Sequence, residues 1–434
     1  MKNKIVLKLF FTINLIITYN VYGIDIIIDK GVENPIPVAI VPFGWSQSAT
    51  VAPVDLASII SDDLTRSARF ASMDEKDLPQ RPTDFQNINF NDWRLLGMEN
   101  LVIGQLTQND DGNYIVDFRL IDVYKGKQIA GFRIPSTANQ LRRTAHEISD
   151  IIYEKLIGVR GAFATRVAYI TVIKNRDDSK TYTLQFADAD GYNPQILLKS
   201  SEPLLSPSWS PDGTSLAYVS FEGKNSAIYI QDIMTGKRDR VASGPGINSA
   251  PSWSPDGSQL AMTLSKDGNA EIYILHIPTR QLQRVTHNPA IDTEPSWTND
   301  GKKLVFTSDR GGSPQIYETA INGGSPQRIT FDGPYNVSPA YSPDNQHMVL
   351  VHGQNGIYRI AILDKKTGHF SVLTETHLDE SPSFSPNGHM IMYTTTGARG
   401  TALAAVSADG QVHQRLALQD GEVREPAWGP FLKR

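Results

Sequence analysis

Cysteine is absent from this chain of 434 residues. That excludes disulfide staples, thiolate metal sites and cysteine nucleophiles, and it suits an exported protein that folds without oxidation. Clustered basic residues are lacking too. Lysine and arginine total 41 against 46 aspartates and glutamates, a net charge of −5. Nothing gathers to neutralise phosphates, so nucleic acid is excluded as a partner. A long apolar run occurs only at the start, where "MKNK" precedes "IVLKLFFTINLIITY" and the polar "NVYG". Residues 1–23 read as a cleaved secretory signal. A retained anchor is the competing reading, but Lys8 interrupts the run, which falls short of a bilayer span, and no insertion of the mature chain is expected.

Catalytic signatures are equally scarce. "GWSQS" at Gly44 approaches a nucleophile elbow but lacks the second glycine and the following helix. No two of the nine histidines have the i, i+4 helical spacing of a zinc site.

Proline and glycine, in contrast, recur on a beat. "PSWSPDG" stands at Pro207 and again at Pro251, followed by "PSWTNDG" at Pro295, "PAYSPDN" at Pro339, "PSFSPNG" at Pro382 and "PAWGPFL" at Pro426. The steps are 43 or 44 residues. After each complete copy come short runs rich in β-branched and aromatic residues, such as "LAYVS" and "AIYIQDI". Four strands in 40–50 residues is the signature of a propeller blade. The first heptamer is preceded by blade-like strands at Arg166 and Thr181, and the last has no strands after it. Joined, the two halves make one blade, so the ring has six and closes by pairing the chain's end with the propeller's beginning.

The segment 24–160 has a different grammar. "PVAIVPF" reads as a strand, and Leu56, Ile59, Ile60 and Leu64 share one helical face. "NLVIGQLTQ" and "YIVDFRLIDV" flank a "NDDGN" turn, and a last helix carries Leu141, Ala145, Ile148, Ile152 and Leu156. The expectation is a small N-terminal α/β domain, a joint at 158–164, and a six-bladed all-β propeller over 161–434.

Two surfaces stand out. The residues before each heptamer form the loops at one mouth of the channel, among them Asn248, Ala250, Thr293, Glu294, Asn336, Asp379, Glu380, Arg424 and Glu425. Repeat rings place function on one face of their loops, which makes this a binding rim, although surface loops are polar in any case. Converging carboxylates there also have the chemistry for a cation such as Ca²⁺, while no other cofactor is expected. The second surface is the mature start, Ile24, Asp25, Ile26, Ile27, Ile28 and Asp29. It either completes its own domain's sheet or adds to a partner's edge, and an isoleucine-rich strand left without a partner should dock on its own protein.

With the heptamers, "PVAIVPFGW", "EKLIGVRGAFATRVAYI", "DGYN", "INGGSPQRIT" and "LDESPSFSPNG" in hand, the chain resembles the TolB family of the Tol–Pal system over its whole length. The resemblance implies a non-enzymatic adaptor in the periplasm, acting in outer-membrane invagination at cell division and in envelope integrity. It implies that the lipoprotein Pal, with room for other outer-membrane lipoproteins as partners, sits at the propeller mouth. On this chain Pal would face Asn248, Ala250, Thr293 and Glu294, and the mature N-terminus would take the inner-membrane protein TolA. Ile247 stands where a polar residue is expected. The competing class is a six-bladed metal-dependent hydrolase or lyase with its site in the channel.

Overall fold

The computed structural model describes residues 25–46, 51–223, 225–397, 400–417 and 421–432. The expected leader, Ile24 and the Gln47–Ser48 part of "GWSQS" lie outside the described residues.

The N-terminal domain follows the strand β1 (Asp25–Lys30) and contains β2 (Ile36–Ile40), β3 (Gly44–Trp45), β4 (Phe70–Ser72), β5 (Asn100–Gln108), β6 (Tyr114–Asp122) and β7 (Lys127–Ser136). Their order is β4-β2-β5-β6-β7, with β3 beside β5. The helices are α1 (Leu56–Arg66), α2 (Phe90–Leu95) and α3 (Leu141–Ile157). Asp55 caps α1 by accepting from the Ser58 N–H at 3.0 Å, which satisfies one of the helix's orphan donors. Leu56, Ile60 and Leu64 of α1 and Leu141, Ala145, Ile148 and Ile152 of α3 bury against Val102, Val116 and Phe118 of the sheet. The opposite face is closed by Trp93 of α2 over Leu101, Ile103 and Ile121. Gly158 ends α3 with φ 92°, a conformation that glycine adopts without steric cost.

Among the described residues six four-stranded blades follow, and each heptamer supplies the innermost strand of one. Blade 1 joins the chain's end, Glu422–Trp428, to Arg166–Lys174, Lys180–Asp188 and Gln195–Ser200. Blades 2 to 6 begin with Leu204–Trp209, Asn248–Trp253, Asp292–Trp297, Tyr335–Tyr341 and Leu378–Phe384. Blade 6 ends with the strand His413–Ala417.

The heptamer is repeated because it makes two fixed connections. Its Ser-Pro-Asp-Gly part is a side-chain-locked turn. In the first copy Ser210 Oγ donates to Asp212 at 2.6 Å and accepts from the Ser215 N–H at 2.9 Å, while Gly213 takes φ 69°. Its tryptophan stitches neighbouring blades. Trp253 Nε1 donates to the Ser208 carbonyl at 3.1 Å, and Trp297 Nε1 to that of Ser252 at 2.9 Å. Trp209 Nε1 reaches the Ala427 carbonyl at 3.0 Å, which carries the seam across the junction of first and last strands.

The residue before each heptamer's first proline breaks the strand. Ser206, Ala250, Glu294, Ser338, Ser381 and Glu425 all have φ between 48° and 55°. A register shift falls at each of them. Six non-glycine residues in the left-handed region form a ring, a costly conformation that the surrounding ladder must hold in place.

β1 does not complete its own domain's sheet. It pairs antiparallel with His413–Ala417 as a fifth strand on the outer edge of blade 6, with Ile26 opposite Leu416 and Ile28 opposite Gln414.

Candidate functional site

The ends of the innermost strands form the two mouths of the channel. The turn end faces the N-terminal domain: the Asn387 side chain donates to the Arg160 carbonyl at 2.8 Å, and Arg69 pairs with Asp409 at 2.5 Å. The opposite mouth carries the rim residues in three tiers.

The outermost tier is buried within the blades. Asn248 is 3% exposed and Asn336 and Asp379 are 0%, which corrects the expectation that these three project from a surface loop. Asn248 Nδ2 donates to the carbonyls of Gly244 and Gly246 at 3.1 and 3.4 Å. Asn336 Nδ2 donates to the Asp332 carbonyl at 2.7 Å, and its Oδ1 lies 3.0 Å from His352 Nδ1. Asp379 accepts from the hydroxyls of Thr374 and Thr376. The reason is the unpaired backbone of the incoming loop, whose buried polar groups need partners. Asp292, at the same place in blade 4 and passed over in the sequence, accepts two bonds from Arg310 at 2.9 and 2.7 Å.

The middle tier lines the mouth. Thr293 is half-buried, and Glu380 and Arg424 are exposed. Beside it stand two exposed isoleucines on neighbouring blades, Ile247 at 49% and Ile291 at 53%. Ile247 is therefore an apolar feature of the rim, and Ile291 has the same place one blade on. Position in the repeat was the signal for both, since each precedes the buried first residue of its strand.

The innermost tier is the ring of left-handed residues, including Ala250, Glu294 and Glu425. It opens into a channel cavity of about 670 Å³ walled mainly by serine and proline, in which Glu294 and Glu425 are the charged lining residues among those described. Glu294 accepts from Thr307 Oγ1 at 2.8 Å, the Ser338 N–H at 2.9 Å and Ser338 Oγ at 2.6 Å. Glu425 accepts from the Ser206 N–H. Burial pushes the Glu425 carboxyl up to about 7, against the pull of the Ser206 N–H and Arg424, and Glu380 pushes the same way as burial.

Calcium requires six to eight oxygen ligands around one point. Of the four expected carboxylates, Asp379 is enclosed in its blade and Glu294 already accepts three hydrogen bonds, which leaves Glu380 and Glu425, two of the six to eight ligands. Among the described residues no histidine, lysine or arginine lines the channel wall.

Residues 153–432 match the model of the TolB beta propeller domain, and residues 24–129 that of the TolB amino-terminal domain. The chain belongs to the TolB family. It is 62% identical over 411 residues to the Tol-Pal system protein TolB of Thioalkalivibrio sulfidiphilus, covering 94% of both chains. It is 60% identical over 428 residues to that of Nitrosococcus oceani, covering 98% of both. Among solved structures it resembles TolB from Acinetobacter baumannii, with a TM-score of 0.86 and 42% identity over 94% of this chain and all of the other. As a TolB-family member the chain is a Tol–Pal system protein with a small α/β domain before its propeller. Among the described residues no helix is long and apolar enough to cross a membrane.

Proposed function

We propose that the protein is a periplasmic, non-enzymatic adaptor that joins the outer-membrane lipoprotein Pal to the inner-membrane protein TolA. Its role on this reading is outer-membrane invagination during cell division and upkeep of the envelope, after removal of the signal at 1–23. The observation that carries the proposal is full-length kinship with Tol–Pal system proteins. Two features support it. The rim offers Thr293, Glu294, Glu380 and Glu425 beside the exposed Ile247 and Ile291, which is the mix of apolar centre and polar edge that suits a protein partner. β1 is an addition to a blade that already has four strands, so it can leave for another sheet edge without opening the ring. Ala250 lines the channel at the rim, and the buried Asn248, Asn336 and Asp379 shape the rim from behind.

The hydrolase or lyase alternative requires several inward acids and amides at channel depth, and among the described residues the serine and proline wall offers two acids, Glu294 and Glu425, and one amide, Asn299. A pulldown from envelope extract tests the proposal. The full mature chain should capture both partners, and a chain lacking residues 24–35 should retain Pal and lose TolA. Loss of both, or of neither, contradicts the two-surface reading.

A further inference from the structure

The propeller touches the N-terminal domain through the turn at the end of Lys180–Asp188, and the contact is made of half-buried charge around the buried His146 and Asp63. Asp188 and Asp190 of this turn reach Arg142 and His146 of α3 and Arg66 of α1. Arg142 pairs with Asp190 and lies 3.9 Å from Asp188, and its guanidinium stacks 3.9 Å above the Tyr192 ring. His146 is 2% exposed. Its Nδ1 lies 2.6 Å from Asp63 Oδ2 of α1, and its Nε2 lies 3.7 Å from Asp190 Oδ2. Among the described residues that Nε2 has no hydrogen-bond partner. Asp63 also accepts from Arg66 at 2.7 Å, and Arg66 stands 4.0 Å from Asp190.

Around the imidazole, Asp63 and Asp190 face Arg66 and Arg142, with Asp62 beside Asp63, and Asp188 also faces Arg166. Only with a proton on both ring nitrogens can His146 donate toward Asp63 and Asp190 at once. With guanidiniums already on these carboxylates, a proton completes the set better than a divalent cation does.

One turn further along α3, Asp150 holds the linker between the domains. Its Oδ1 accepts from the Phe163 N–H at 2.7 Å and its backbone carbonyl from Gly161 at 3.2 Å, while Oδ2 lies 4.0 Å from Arg160.

We propose that the joint between the two domains is a proton-operated latch, in which protonated His146 clamps the Asp188–Tyr192 turn of the propeller to α1 and α3. Burial opposes charge on His146, but Asp63, its hydrogen bond and Asp190 outweigh it and hold the imidazole above its ordinary value, against the opposing Arg66. A group held up in this way contributes stability that is complete in mild acid and is lost as pH rises through its folded value. Asp150 acts in the same direction, since burial pushes its carboxyl up to about 7. The joint is tight in mild acid and loosens toward alkaline pH.

The test uses the full mature chain. Nuclear magnetic resonance of labelled imidazoles, with His146 assigned from His146→Gln, should show it titrating above its ordinary value. Limited proteolysis at 158–165 should quicken at least about threefold from mild acid to mild alkali in Asp150→Asn, with a midpoint matching that titration. In Asp150→Asn with His146→Gln it should be flat. If the double variant does not fold, Asp190→Asn serves instead and should lower the midpoint of the imidazole. A His146 that titrates below its ordinary value, or a cleavage rate indifferent to pH, overturns the proposal. So does Zn²⁺ stabilising the wild type but not His146→Gln at neutral pH, which would make the cluster a metal site.

Discussion

The carboxylate of Glu425 accepts a hydrogen bond from the backbone N–H of Ser206, 219 positions earlier in the chain. Across the channel Glu294 holds the Ser338 N–H in the same way, at 2.9 Å. The two bonds bridge neighbouring blades at the left-handed ring, and the first spans the closure. With Glu425 pushed up to about 7, the folded chain retains a proton that the unfolded chain releases at the ordinary carboxylate value. Stability should fall as pH rises across that window. Glu425→Gln is expected to lessen the fall in the urea midpoint between about pH 5 and pH 7.5. An equal slope in both proteins would show a normally hydrated carboxyl.

Closure should be fragile from the other end as well. Deleting residues from Pro426 onward removes the Ala427 carbonyl that receives Trp209, and Trp428, whose Nε1 donates to Thr165 Oγ1 at 2.9 Å. It also exposes the edge of Arg166–Lys174. The expected product aggregates or is cut rapidly by protease. A truncated chain that melts at the wild-type temperature would contradict closure through blade 1.

Rim and scaffold should separate by mutation. Ile247→Glu and Glu380→Lys change exposed side chains, so stability should move by no more than about 0.5 kcal/mol while Pal binding weakens. Glu294→Ala should cost about 1–3 kcal/mol, because it removes the hydrogen bonds that its carboxylate accepts from Thr307 and Ser338 on the channel wall. Calorimetric titration beside thermal melts distinguishes the two classes. Stability losses of one size throughout would make the whole rim structural.

Trp297 is 6% exposed and stitches blade 4 to blade 3. Its replacement by alanine should cost roughly 3–5 kcal/mol without altering Pal affinity in the fraction that folds. A melting temperature near that of the wild type would mean the seam is carried by other contacts.

Release of β1 should be visible at its partner strand. Removing residues 24–30 is expected to speed amide exchange in Leu416 and Gln414, the register partners of Ile26 and Ile28, and to leave blades 2 to 5 unchanged. Coupling between the two surfaces would appear as a TolA affinity that differs with and without saturating Pal. Equal affinities would describe two independent sites.

The ring was readable because its signals are local and repeated. Each heptamer states its own turn, and the step between heptamers states the blade. The rim was readable in position but only partly in role. Asn248, Asn336 and Asp379 look like surface polar residues in sequence, yet each faces into a blade to satisfy a loop that approaches from elsewhere. The left-handed ring had no signal at all, since serine, alanine and glutamate before proline do not announce a positive φ. The docking of β1 on blade 6 joins segments nearly the whole chain apart, and the cluster around His146 joins two domains. Neither pairing follows from periodicity, which specifies the elements and not their distant partners.

The kink at the left-handed ring has one more result. A regular strand assigns its side chains to alternate faces, so a change at one position disturbs the packing on that face. The kinked residue is outside that alternation, and its side chain is presented to the channel by the bend itself. Serine, alanine and glutamate occupy equivalent places at Ser206, Ala250 and Glu294 with φ within a few degrees of one another. The inner wall is thus written in an alphabet of its own, six letters long, and a letter without cross-blade bonds, such as Ala250, can change while the blades read the same.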